Sequence, residues 1–83
     1  MKIEYTEKAS EQLSELSRMV QERIRNKLDF YIQQPDPLHF AKRLSGAEEY
    51  RFRIGEYRVI FEIYNKVLYV LLVIKRDKAY RDL

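Results

Sequence analysis

The segment YRFRIGEYRVIF, residues 50–61, places Arg51, Arg53 and Arg58 within eight positions of one another. A guanidinium group is a planar fork of donors that matches phosphate oxygens and stays charged at any physiological pH. Three of them side by side would grip a phosphodiester and stabilise extra negative charge on it. The segment supplies its own geometry. In Ile54-Gly55-Glu56-Tyr57 the glycine stands first in a two-residue loop, which suits a type II′ hairpin. Such a loop sets Ile54 opposite Tyr57, Arg53 opposite Arg58 and Arg51 opposite Ile60. Side chains alternate across a strand, so the three arginines share one face, and Tyr50, Phe52, Ile54, Tyr57, Val59, Phe61 and Ile63 share the other. Like charges set directly opposite cost some tenths of a kcal/mol to about 1 kcal/mol. A solvated face with Glu56 and Glu62 nearby is one explanation for that arrangement. An anion held between the three groups is the other, and it is the expectation adopted here.

A second group of candidates follows the last strand-like run. Lys75-Arg76-Asp77-Lys78-Ala79-Tyr80-Arg81 leaves the sheet where the basic face is expected, so Lys75, Arg76 and Tyr80 can close over it. Tyr80 adds a phenol that donates, accepts or stacks on a base. Charge is distributed unevenly along the chain. Residues 1–49 hold eight Lys/Arg against nine Asp/Glu, whereas residues 50–83 hold eight against four. The whole excess of +3 thus lies in the C-terminal part, which points to a polyanion or to a charged solvated face.

Other chemistries find little support. His39 is the only histidine, so a two-histidine ribonuclease mechanism is impossible within one chain and a histidine-rich metal centre is unsupported. It lies beside Phe40 in a connection and reads as structural or simply exposed. Glu48 and Glu49 point in different directions and offer too few ligands for a cation. The only glycines are Gly46 and Gly55, so there is no nucleotide-binding glycine loop. Ser10, Ser14 and Ser17 lie on helical sequence with no base nearby. No metal and no cofactor are expected.

The elements that must position the arginines fit one small α+β domain spanning residues 1–83. With no cysteine to cross-link it, a domain of this size depends on good helix–sheet packing. Residues 2–6 alternate polar and apolar and suit a short first strand. A helix runs from Glu7 to about Ser17, with Thr6 as N-cap and Ala9, Leu13 and Leu16 on its apolar face. A second, from about Met19 to Gln34, carries Val20, Ile24, Leu28, Tyr31 and Ile32 on one face and is stopped by Pro35. A single longer bent helix fits the same pattern. Residues 35–49 form an irregular connection, with Leu38, Phe40 and Leu44 turned to the core and Gly46 in a turn. Asn65-Lys66 makes a second tight turn into Val67–Ile74, which is apolar on both faces like a central, two-sided strand. The expected order is strand, two-helix hairpin and three-stranded antiparallel meander, with both helices on one face of the sheet. The opening residues MKIEYTEKA show no apolar leader and the longest apolar run has eight residues, so a cytoplasmic protein without a membrane span is expected.

The tract FAKRLSG…YRFRIGEYRVIFEI…VLYVLLVIKRDKAYR resembles the RelE branch of the RelE/ParE superfamily, the toxins of type II toxin–antitoxin pairs. The likeness covers essentially the whole chain. Its most specific part is Tyr-Arg-x-Arg-x-Gly-x-Tyr-Arg-Val, with the later Arg-x-x-x-Tyr behind it. The resemblance implies a RelE-like fold and a metal-independent, ribosome-dependent endoribonuclease. Such an enzyme cuts mRNA in the ribosomal A site by attack of the ribose 2′-hydroxyl on the adjacent phosphate. It also implies a cognate antitoxin that wraps the toxin, with the toxin alone a monomer and the complex of higher order. By the motif, Arg51 and Arg53 occupy the basic positions of the first hairpin strand and Arg58 that of the second. Arg76 and Tyr80 match the arginine and tyrosine of the C-terminal segment. Arg58, Arg76 and Tyr80 are then the catalytic candidates, and Arg51, Arg53, Lys75 and Arg81 the RNA-binding ones. Two departures matter. Some relatives have lysines where this chain has Arg51 and Arg53, and an arginine cannot serve as a general base. Many relatives have a histidine where this chain has Lys75, which makes Lys75 a secondary proton-transfer candidate. A ParE-like gyrase inhibitor and a non-catalytic RNA- or protein-binding module are the competing functions on the same scaffold.

Overall fold

The computed structural model describes residues 1–44, 46 and 48–76. The chain begins with strand β1 (Lys2–Tyr5), followed by helices α1 (Glu7–Ser14) and α2 (Arg18–Ile32). A 3-10 turn (Pro37–Phe40) leads to strand β2 (Lys42–Arg43). Strands β3 (Tyr50–Ile54), β4 (Tyr57–Tyr64) and β5 (Val67–Lys75) complete the described chain. The five strands form one mixed sheet in the order β1-β5-β4-β3-β2. The meander β3-β4-β5 is antiparallel, as expected, while β1 runs parallel to β5.

Both helices begin at side-chain caps. Thr6 Oγ1 accepts the Ala9 N–H at 3.1 Å and Ser17 Oγ accepts the Val20 N–H at 3.3 Å, each satisfying a donor that the first helical turn leaves free. The Ser17 cap decides for two helices over one bent helix, and it ends α1 sooner than the apolar spacing alone suggests. Ala9 and Leu13 of α1 and Ile24, Leu28 and Tyr31 of α2 pack with Phe52, Ile54, Val59, Phe61, Leu68, Val70 and Val73 in one core cluster. Each large apolar side chain buried there contributes about 1.5–3 kcal/mol. The sheet residues of this cluster share one face, so the helices cover that face.

The connection after α2 is more regular than its sequence suggests. Lys42 pairs with Arg51 and Arg43 with Tyr50, adding an edge strand to the sheet. The Leu44 N–H donates to the Glu49 carbonyl at 2.9 Å and helps close the return.

A β-bulge interrupts the β4–β5 pair. Ile60 faces Leu72 but Phe61 faces Val70, which leaves Leu71 without a partner on β4. The helix side attends to the irregular backbone. Thr6 Oγ1 donates to the Leu71 carbonyl at 3.2 Å, and the Val73 N–H donates to Gln12 Oε1 at 2.8 Å. Thr6 therefore caps α1 and ties it to the bulge at once.

Candidate functional site

The β3–β4 hairpin has the expected register: Ile54 faces Tyr57, Arg53 faces Arg58 and Arg51 faces Ile60. Gly55 has φ +58° and Glu56 has no positive φ, the combination a type II′ loop requires. Lys42 on β2 sits opposite Arg51. One face of three adjacent strands thus carries Lys42, Arg51, Arg53 and Arg58, on the side away from the helices.

The four cations have very different surroundings. Lys42 and Arg53 are exposed and Arg51 is half-buried. Arg58 has 0% of its surface exposed, and none of its Nε, Nη1 and Nη2 atoms has a hydrogen-bond partner among the described residues. A simple solvated face does not describe such a residue. Taking one charge out of water costs several kcal/mol unless a partner compensates it. Across the sheet Arg58 is flanked by Arg53 on one side and Ile74 on the other. Ile60 and Ile74 are buried too, yet lie outside the helix-side core cluster. This face therefore combines an apolar centre with a cationic border.

A cleft of about 260 Å³ opens at the β2–β3 side of the sheet, lined by His39, Phe40, Ala41, Lys42, Arg51 and Arg53. The 3-10 turn delivers His39 and Phe40 to it, while β2 and β3 deliver the three cations. Lys42 and His39 were not anticipated as site residues. Two consecutive basic residues carry no strand periodicity, so the signal for Lys42 lay only in the short return past Gly46 to Tyr50. His39, expected to be structural or simply exposed, is exposed and lines this cleft.

Arg76 is exposed, and its N–H donates to the Glu56 carbonyl at 2.7 Å, holding it against the hairpin tip. The Arg53–Arg58 pair lies at that same end of the sheet. Lys75 does not join them. It faces Tyr57, on the helix side, and lines a second cleft with Gln12, Glu15 and Leu16. The bulge at Leu71 is the reason, because one extra residue moves every later side chain of β5 to the opposite face. Tyr80 and Arg81 lie outside the described residues.

Known structures share this fold. The chain is similar to isolated Escherichia coli RelE toxin (19% identity, TM-score 0.75, 99% of this chain and 98% of that one). It is similar also to RelE in the RelE–RelB complex of Pyrococcus horikoshii (26% identity, TM-score 0.74, 90% and 93% covered). The RelB–RelE antitoxin–toxin complex of Methanococcus jannaschii gives a comparable match (18% identity, TM-score 0.75, 95% and 96% covered). No curated protein sequence matches the chain. Residues 3–80 match the ParE toxin of type II toxin–antitoxin systems, parDE, and the chain belongs to that family, within the RelE/ParE superfamily. Among the described residues no helix is long and apolar enough to cross a membrane.

Proposed function

We propose that this type II toxin is a ribosome-dependent endoribonuclease that cuts translated mRNA in the ribosomal A site. The observation that carries the proposal is the concentration of Lys42, Arg51, Arg53 and Arg58 on one face of three adjacent strands, with a cleft at its edge. A surface that only had to dock on a protein would gain nothing from burying a guanidinium with no hydrogen-bond partner among the described residues beside exposed ones. A phosphodiester offers acceptors to the exposed ones and sets its negative charge beside the buried one.

In this mechanism the ribose 2′-oxygen attacks the adjacent phosphorus and the 5′-oxygen of the next nucleotide leaves, forming a 2′,3′-cyclic phosphate and a free 5′-hydroxyl. Arg51 and Arg53 hold the backbone. Arg58 and Arg76 stabilise the extra charge of the pentacoordinate phosphorane, the kind of pre-set electrostatics that lowers such barriers most. Tyr80, assigned by the resemblance, transfers a proton between the attacking and leaving oxygens. No metal enters the scheme.

The toxin is further proposed to be neutralised by a short cognate antitoxin whose amphipathic segment covers apolar surface and whose acidic residues approach the cationic face. Relatives crystallised as RelE–RelB complexes support this.

Expression followed by mapping of mRNA 5′ ends tests the activity, with an Arg76→Ala, Tyr80→Phe double variant beside the wild type. Cuts phased to codons in translated messages, lost in the variant, are expected. The ParE family match gives the second reading, inhibition of DNA gyrase. Growth arrest with intact mRNA and blocked DNA supercoiling would establish that reading and end the nuclease proposal.

A further inference from the structure

A column of aromatic rings runs from the sheet to the arginine cleft. Phe61 stacks on Phe52 at 4.2 Å and 17°, Phe52 on Tyr31 at 4.4 Å and 28°, and Tyr31 on Phe40 at 5.1 Å and 24°. Exposure rises along it: Phe61 and Phe52 are fully buried, Tyr31 is 9% exposed and Phe40 is 42% exposed. Phe30 meets the Phe40 ring at 67° and His39 meets it at 90°, so three rings hold its orientation. The column thus ends in a fixed, partly open phenyl ring inside a cleft whose other walls include Lys42, Arg51 and Arg53.

We propose that Phe40 is the stacking platform for one base of a single-stranded RNA whose neighbouring phosphates lie on Lys42, Arg51 and Arg53. This rests on the RNA reading given above and adds a subsite to it. An aromatic face beside a cationic groove is the chemistry of single-strand binding, because every base has a π-face and every linkage a negative charge. A ring already immobilised loses little further freedom on binding. The cleft, at about 260 Å³, is smaller than the ~300–1,000 Å³ typical of small-molecule pockets, as suits a piece of a longer ligand. An apolar side chain from a protein partner fits less well. Seating it on Phe40 would strip water from the surrounding cations without giving them acceptors. A nucleotide brings its acceptors with it.

The chain contains no tryptophan, so Phe40→Trp installs a unique fluorophore at the platform. The variant is titrated with a short single-stranded RNA and with an abasic ribose–phosphate oligomer of equal length. Saturable quenching by the RNA and little by the abasic oligomer are expected. In parallel, binding of labelled RNA by anisotropy should weaken roughly tenfold or more in Phe40→Ala and stay within about twofold in Phe40→Tyr. Circular dichroism verifies that each variant is folded. Equal binding of the RNA and the abasic oligomer, unchanged affinity in Phe40→Ala, or no RNA binding by the wild type overturns the platform. So does a Phe40→Ala defect confined to capture of a protein partner. Cleavage of translated mRNA, read separately, keeps the two proposals apart. Cutting that persists unchanged in Phe40→Ala, with unaltered RNA affinity, removes the platform and leaves the nuclease. Phe40-dependent RNA binding without cutting does the reverse.

Discussion

Arg53 and Arg58 face each other across the β3–β4 pair, one exposed to solvent and the other shut away from it with no hydrogen-bond partner among the described residues. Two like charges in that arrangement oppose folding, and the buried one opposes it most. Replacing Arg58 with methionine keeps a long unbranched side chain and removes the uncompensated charge. Even a buried ion pair is often exchanged for packed apolar side chains with no loss or a gain of about 1–4 kcal/mol, and a single buried charge has less to lose. Arg58→Met should therefore raise the thermal midpoint or leave it unchanged while abolishing toxicity. A midpoint several degrees lower, by calorimetry, would mean that the guanidinium is already paired.

Arg53 is exposed and Arg51 half-buried, so their removal should affect ligand binding more than folding. Arg53→Ala is expected to change stability by no more than about 0.5 kcal/mol. Growth arrest and mRNA cutting should fall together in Arg53→Ala and further in the Arg51→Ala, Arg53→Ala double variant. Arg→Lys at the same positions should recover only part of the loss, since an ammonium cannot offer two parallel donors.

The Val73 N–H donates to Gln12 Oε1 beyond Val70, the last β5 residue that β1 pairs with. Gln12→Leu leaves that donor without an acceptor and is expected to cost about 1–3 kcal/mol. Gln12→Glu retains an oxygen and should recover most of it. Urea unfolding of the three proteins measures both values, and equal midpoints would show that the bond contributes nothing.

Gly55 adopts φ +58°, where a side chain is strained. Space is not the obstacle, since an added Cβ would meet only Arg23 Nη1, at an ordinary 3.5 Å. Gly55→Ala should thus cost about 1–2 kcal/mol from the backbone alone, read as a lower denaturation midpoint with an unchanged slope. It should also weaken activity by loosening the Arg53–Arg58 register.

Burial pushes the Tyr5 phenol above its ordinary value; Arg25 opposes that shift and Asp29 adds to it. A folded-state value above the unfolded one of about 10 gives stability that is fully present below pH 10 and lost as pH climbs through the raised value. Denaturation midpoints should fall from pH 9 to pH 11, and Tyr5→Phe should remove part of that fall. An identical fall in the variant would refute the assignment.

The parts of this fold legible in the sequence were those with a local cause. Gly55 in a two-residue loop dictated the whole hairpin register, and Thr6 before an acidic first turn marked the start of α1. Pairing between distant segments was not legible: nothing in Lys2–Tyr5 says that it will run parallel to β5. β2 escaped notice because two basic residues have no period. Alternation named the face on which Arg58 lies but not how closely that face is covered. Because Val67–Ile74 is apolar at every position, the sequence could not reveal where the bulge would invert the pattern and carry Lys75 to the helix side.

The strand that opens the chain lies against the strand that ends the described part, and Thr6 reaches Leu71 across 65 residues. During synthesis, α1 therefore lacks its seat until β5 has left the exit tunnel. An unfinished toxin has no complete sheet on which to array its charges, so it cannot act until β5 has been made and has emerged. The interval in which an antitoxin must act opens only once that strand is in place.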